Sequence, residues 1–222
     1  MGDHFFIDSR ADDHTLSSMY GLINKAIQGL ITEKFGEATW DDVRSRAGLS
    51  DEPFLPMEQY PDAVTYDLVQ AATEVLQIPA EEVLQEFGIF WTMFTGAEGY
   101  KHLMESAGDT FAEFVSNLDQ LHARVKLLFP HLDPPSFLVF DREPNSLKVR
   151  YFSNREGLVP LVEGLFQGLA NRFQVSLSVQ HEQVVEGEKS HSLFSLSWEE
   201  LVEEEPRPDQ MLGTCMVARS QP

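Results

Sequence analysis

Residues 110–140 read TFAEFVSNLDQLHARVKLLFPHLDPPSFLVF, and the hydrophobic period changes inside that stretch. Before Pro130, the residues Phe114, Leu118, Leu121, His122 and Val125 share one helical stripe behind the capping candidates Asp109 and Thr110. The spacing predicts one long helix with His122 on its inward face. After Pro134 and Pro135 the segments FLVF, LKVRYFS, VSLSVQ and LFSLSW are short, rich in strand formers and separated by the turn-like EPNS and GEKS. They predict a four-stranded antiparallel sheet. A single helix interrupts it from Leu158 to about Phe173, with Leu161, Leu165, Leu169 and Phe173 spaced for a buried face.

Upstream, the helical period dominates. Tyr20, Ile23, Ile27, Leu30 and Ile31 repeat at helical spacing after Ser17 and Ser18, which are N-cap candidates. A short helix is expected after Thr39, which caps it, with Asp42 in its first turn and Gly48 at its end. Further helices are expected over 62–76, over 80–95 between Pro79 and Gly96, and from Glu98 to Ala107 before Gly108. Helices first and strands later give an α+β fold class. Residues 1–18 are polar and aperiodic and read as a leader. Residues 19–200 form the domain, and 201–222 are an acidic, then mixed, tail.

The 36 acidic residues outnumber the 16 lysines and arginines, and the formal charge of -20 repels phosphate backbones and anionic membrane surfaces. Nucleic acid and membrane are therefore not expected as partners. The single cysteine, Cys215, permits neither an intramolecular disulfide nor a thiolate cluster, which fits a reducing cytoplasmic setting. No apolar run approaches the length of a membrane span, and the acidic MGDHFFIDSRADDH is unlike a secretory signal.

The stretch KVRYFSNREG places Tyr151, Ser153 and Arg155 at two-residue spacing, so an extended strand aims a phenol, a hydroxyl and a guanidinium at one point. Such a set suits an anionic ligand. A neutral imidazole at His122, on an apolar helical face, has little use there unless it binds something, although a core histidine bonded to a carbonyl is the commoner case. His102, His181 and His191, together with His4 and His14 in the leader, offer no zinc spacing. The aromatic segment FGIFWTMF, with Phe87, Phe90, Trp91 and Phe94, is core in part and also suits a wall against a flat apolar ligand. Imidazole, anion clamp and aromatic wall together describe a haem site.

Several ordered segments resemble the H-NOX (haem-nitric oxide/oxygen binding) family, which includes the haem domain of soluble guanylate cyclase and stand-alone bacterial gas sensors. They are MYGLINKAI, TYDLVQAATEVL, EFGIFWTMF, NLDQLH, PPSF and YFSNR, and the resemblance covers roughly residues 19–200. It implies a helical distal subdomain joined to an antiparallel sheet, with a long haem-bearing proximal helix. It implies haem b, ferrous iron protoporphyrin IX, as cofactor. His122 is then the axial ligand, Tyr151, Ser153 and Arg155 the propionate clamp, Pro135 the haem-distorting proline, and Ile23, Trp91 and Leu161 the distal pocket. Oxygen-keeping members of the family have a distal tyrosine where this chain has Leu161.

The resemblance therefore implies a non-enzymatic sensor of nitric oxide and CO that excludes oxygen. In the mechanism the resemblance implies, NO weakens or breaks the bond from iron to His122, the distorted porphyrin relaxes against Pro135, and the helix carrying His122 shifts relative to the distal subdomain. A separate effector, such as a histidine kinase or a cyclic-dinucleotide enzyme, is expected to read that change. A haem enzyme such as a peroxidase is a rival, but the distal positions carry no His, Arg or carboxylate for proton transfer. A haem-free interaction module is a second rival, opposed by the intact His122 and the intact clamp.

Overall fold

The computed structural model describes residues 18–97, 100–186 and 189–201. Strand β1 (Ser18–Tyr20) pairs antiparallel with β2 (Gln59–Pro61), and between them lie α1 (Gly21–Phe35) and α2 (Glu37–Arg46). Then come α3 (Asp62–Leu76), α4 (Ala80–Ala97), α5 (Lys101–Glu105), α6 (Phe111–Ser116) and α7 (Leu118–Leu128). The second half consists of β3 (Ser136–Glu143), β4 (Ser146–Phe152), α8 (Val159–Arg172), β5 (Val175–Glu186) and β6 (Lys189–Glu200). The last four strands form one antiparallel sheet in the order β3-β4-β6-β5. Among the described residues no helix is long and apolar enough to cross a membrane.

The α+β expectation and the sheet hold, and helix α3 has the predicted bounds. Several ends differ. Ser18 does not cap α1: it lies in β1, Tyr20 is the N-cap residue, and Ser17 is outside the described residues. Thr39 does not cap α2 but sits inside it, its hydroxyl donating to Phe35 O at 2.8 Å, because Gly36 at φ +90° breaks the chain earlier. Helix α4 continues through Gly96 to Ala97, whereas α5 is only a short piece of the segment predicted from Glu98. Glu98 and Gly99, like Cys215, His4 and His14, lie outside the described residues.

The predicted long helix is divided at Asn117 into α6 and α7. Asn117 turns its side chain away to donate to Ala107 O at 2.8 Å, yet its own carbonyl still accepts from Leu121 N–H at 2.8 Å. The backbone ladder thus nearly continues. Thr110 caps the first piece as expected, accepting from Glu113 N–H at 3.2 Å.

Two large hydrophobic clusters result. Ile27, Leu30, Ile31, Trp40, Val43, Leu68, Phe87 and Phe90 make the helical core. Phe111, Phe114, Leu147, Val149, Phe166, Phe194, Leu196 and Trp198 make the core under the sheet. Helix α8 joins them, and the predicted face is only partly the buried one: Leu169 is buried as expected and Leu161, Leu165 and Phe173 are partly buried, while Val162 and Phe166, outside the predicted stripe, are buried as well. Its Gly164 and Gly168 press on α4, where a Cβ at Gly164 would lie 2.1 Å from Gln85 O and one at Gly88 2.3 Å from Leu161 O. The two helix backbones therefore touch, a relationship that a search for apolar stripes overlooks.

Candidate functional site

A cavity of about 340 Å³ opens between the two cores, within the range of small-ligand sites. The eight residues that the family resemblance assigns to the site all line it: His122, Pro135, Tyr151, Ser153, Arg155, Ile23, Trp91 and Leu161; of the remaining aromatic-segment residues Phe87 lines it, whereas Phe90 and Phe94 do not. The eight come from α1, α4, α7, α8, the turn before β3 and the end of β4, so only the folded chain brings them together. His102, by contrast, projects into solvent with 97% of its side chain exposed and pairs with Glu105.

His122 sits on α7, partly buried, with its ring 5.7 Å from that of Phe137. Its Nδ1 lies 3.1 Å from Pro135 O. A carbonyl oxygen only accepts, so Nδ1 carries the proton and Nε2 the lone pair. Burial lowers the imidazole pKa below its ordinary 6.5, against the opposing effects of the Pro135 bond and of Asp119. A neutral imidazole with a lone pair on Nε2 is the form that binds a metal.

The clamp differs from the predicted straight strand. β4 ends at Phe152, so strand alternation places only Tyr151, while Ser153 and Arg155 follow in a turn where Arg155 N–H donates to Ser153 Oγ at 3.0 Å. Tyr151 is buried, packed 5.2 Å from the Phe137 ring, and burial raises its pKa against the hydrogen bond with Ser153 and the Arg155 charge. It is a neutral phenol at ordinary pH. Ser153 is exposed and Arg155 partly buried, so the three groups run from the interior of the cavity to its mouth.

The three residues read as the distal pocket offer few donors. Ile23 and Leu161 have none, and Trp91 stacks on Phe94 at 6.2 Å and meets Phe87 edge-on at 6.0 Å. The lining hydroxyls of Thr65, Thr92 and Thr95 are directed elsewhere, to Asn24 Oδ1 at 2.7 Å, Ile89 O at 2.8 Å and Trp91 O at 2.8 Å.

The family model described as Haem-NO-binding matches residues 20–181 of this chain. The chain belongs to the haem-NO-binding family. Similar curated proteins include soluble guanylate cyclase gcy-31 of Caenorhabditis elegans, 29% identical over 163 residues, a match covering 73% of this chain and 23% of that protein. Soluble guanylate cyclase gcy-35 of the same organism is 30% identical over 169 residues, covering 73% and 24%. The chain thus spans about a quarter of the length of the curated relatives it matches. An H-NOX protein from S. oneidensis, solved in the Fe(II)NO ligation state, superposes with a TM-score of 0.73 at 21% identity, over 82% of this chain and 99% of that one. The unliganded Fe(II) H-NOX protein from K. algicida gives 0.70 at 20% identity, over 84% and 100%. At such identities the likeness speaks for the fold.

The cavity's donor set fits the haem of the haem-NO-binding family on its own chemistry. The cavity offers an imidazole of the right tautomer and charge, neutral and cationic donors for carboxylates, and a remaining lining that is mostly apolar.

Three acids around the site were not foreseen. Asp119, one turn before His122, accepts Phe137 N–H at 2.6 Å and the Ser136 hydroxyl at 3.1 Å, tying α7 to the start of β3. Asp62 and the Asp133 carbonyl hold Arg155. Asp119 had a sequence signal, an acid in a first helical turn one turn from the histidine. Asp62 lies 93 residues from its partner and had none.

Proposed function

We propose that this haem-NO-binding domain is a sensor that binds nitric oxide and CO at ferrous haem b, excludes oxygen, and signals to a separate effector protein. A single cavity holding a neutral imidazole, an anion clamp and distal residues poor in donors carries the reading. Ferrous haem, when bound, supplies the iron to which a diatomic gas coordinates. His122 would hold the iron, Tyr151, Ser153 and Arg155 would take the propionates, and Pro135 would lie against the porphyrin. Ile23, Trp91 and Leu161 would surround the gas. None of these three is an acid or base, which favours sensing over peroxidase or oxygenase chemistry.

The link from site to surface uses this chain's own contacts. His122 is bonded to Pro135 O, and Asp119 to Phe137 N–H and Ser136, so a displacement of His122 moves α7 against the leading end of β3. An effector responds only if it binds the two arrangements with different affinity. A histidine kinase or a cyclic-dinucleotide enzyme is the class of effector proposed. The haem-binding unit is taken as residues 19–200, with 1–18 and 201–222 as leader and tail, in a cytoplasmic protein consistent with its single cysteine.

Optical spectra of the reduced, anaerobic protein before and after NO or CO, and then in air, test the proposal. Haem bands that shift with NO and CO but show no oxygen adduct are expected. A colourless purified protein that takes up no added haem, or a long-lived oxygen adduct, would overturn it.

A further inference from the structure

The clamp arginine is held by a residue that lies outside the cavity. Arg155 Nε donates to Asp62 Oδ2 at 2.9 Å, and the two side chains are only 12% and 13% exposed. Arg155 lines the cavity, whereas Asp62, the first residue of α3, does not. The Nη atoms meet two carbonyls, Asp133 O at 2.8 Å and Ser18 O at 3.2 Å. Of these three acceptors only Asp62 carries a formal charge. It also binds Nε, the nitrogen next to the aliphatic stem, and a planar fork anchored there has the direction of its outer nitrogens set.

We propose that Asp62 is the positioning residue of the anion clamp, holding the Arg155 guanidinium in the orientation that meets a cofactor carboxylate without touching the cofactor itself. The proposal rests on the reading of Tyr151, Ser153 and Arg155 as that clamp. A carboxylate beside an arginine also competes for its charge, and burial decides which effect dominates. Asp62 Oδ1 is buried with no hydrogen-bond partner, so losing the arginine would leave a poorly solvated anion uncompensated. The pair therefore persists when a second carboxylate arrives. Without Asp62, Nε loses its charged acceptor and the fork is directed less tightly, so more of its orientation has to be fixed on binding.

The test is the rate of haem transfer from the holoprotein to excess apomyoglobin. Asp62→Ala should speed it about tenfold, the loss expected when one charged hydrogen bond is no longer pre-formed. Asp62→Asn should speed it less, because the amide oxygen still accepts from Nε, and it serves alone if the alanine variant fails to fold. Adding Asp62→Ala to Arg155→Ala should change nothing further, since the aspartate acts through the arginine. Reconstituted with haem dimethyl ester, which lacks carboxylates, wild type and Asp62→Ala should lose porphyrin equally fast. Fast loss from Arg155→Ala with wild-type rates for both Asp62 variants would remove Asp62's role and leave the clamp standing. Loss from Arg155→Ala at the wild-type rate would remove both. An Asp62→Ala effect that survives unchanged in the Arg155→Ala background would make Asp62 a general stabiliser rather than a positioning residue.

Discussion

His122 Nδ1 and the carbonyl oxygen of Pro135, 13 residues apart in the chain, lie 3.1 Å apart in the fold. That one bond selects the tautomer of the imidazole, orients its ring and joins α7 to the turn before the sheet. It makes the proposed ligand and the proposed haem-distorting proline a single mechanical unit.

If His122 is the axial ligand, His122→Gly should abolish stable haem incorporation unless free imidazole occupies the gap. His102→Gly should behave as wild type, since that side chain points into solvent. Haem content by pyridine haemochrome assay and the optical spectrum decide. Normal haem and coordination in His122→Gly would rule the assignment out.

The clamp residues should differ in weight. Arg155→Ala should weaken haem retention most, by about 1.5 to 3 kcal/mol for a charged hydrogen bond, and Ser153→Ala less, as an exposed hydroxyl. Haem transfer to apomyoglobin measures the order. Arg155→Ala should also lower the melting temperature of the haem-free protein, because the guanidinium bridges α3, β1 and the Asp133 turn.

Gas selectivity should follow the three residues read as the distal pocket. Bound oxygen carries partial negative charge and is held where a donor meets it, whereas NO and CO need little such help. Leu161→Tyr should introduce an oxygen adduct in air, visible in the optical spectrum. Trp91→Phe should leave oxygen exclusion intact. An oxygen adduct that forms in wild type and disappears in Trp91→Phe would identify the indole N–H as an unforeseen donor.

The haem-free protein should lose stability on acidification through His122. Its folded pKa lies below 6.5 because burial opposes the charged ring, so the unfolded chain binds more protons as the pH falls through that region. The contribution is therefore present above the ordinary imidazole pKa and is lost as the pH drops towards the folded value. Melting temperatures from about pH 7.5 to about pH 5.5 should fall more steeply for wild type than for His122→Gln. Parallel slopes would show that His122 titrates alike in both states.

Gly164→Ala should destabilise the fold by about 1 to 3 kcal/mol, the usual range for overpacking, since the new Cβ would meet Gln85 O on α4. Chemical denaturation of the haem-free protein reads it. Gln167→Ala on the same helix, at a partly exposed position, provides the control and should change little.

Local pattern was enough for much of this protein. The stripe of Leu118, Leu121 and His122 and the strand segments after Pro135 follow from side-chain period alone, because a helix or strand that buries one face must repeat its apolar residues at the matching spacing. The candidate site residues were likewise legible one at a time, through their types and their resemblance to a family pattern. Tertiary structure decided what depends on distance across the chain. The Arg155–Asp62 pair, the Gly164–Gln85 contact and the break at Asn117, bonded to Ala107 O, each join partners that have no common period. The same holds for the face α8 buries: Leu161 and Leu165 repeat as a core stripe would, yet the backbone contact at Gly164 and Gly168 rotates Val162 and Phe166 to the sheet and leaves Leu161 facing the cavity. Periodicity reports that a face is apolar. Which neighbour covers it is settled by how closely two backbones can approach, and that is a property of the assembled fold.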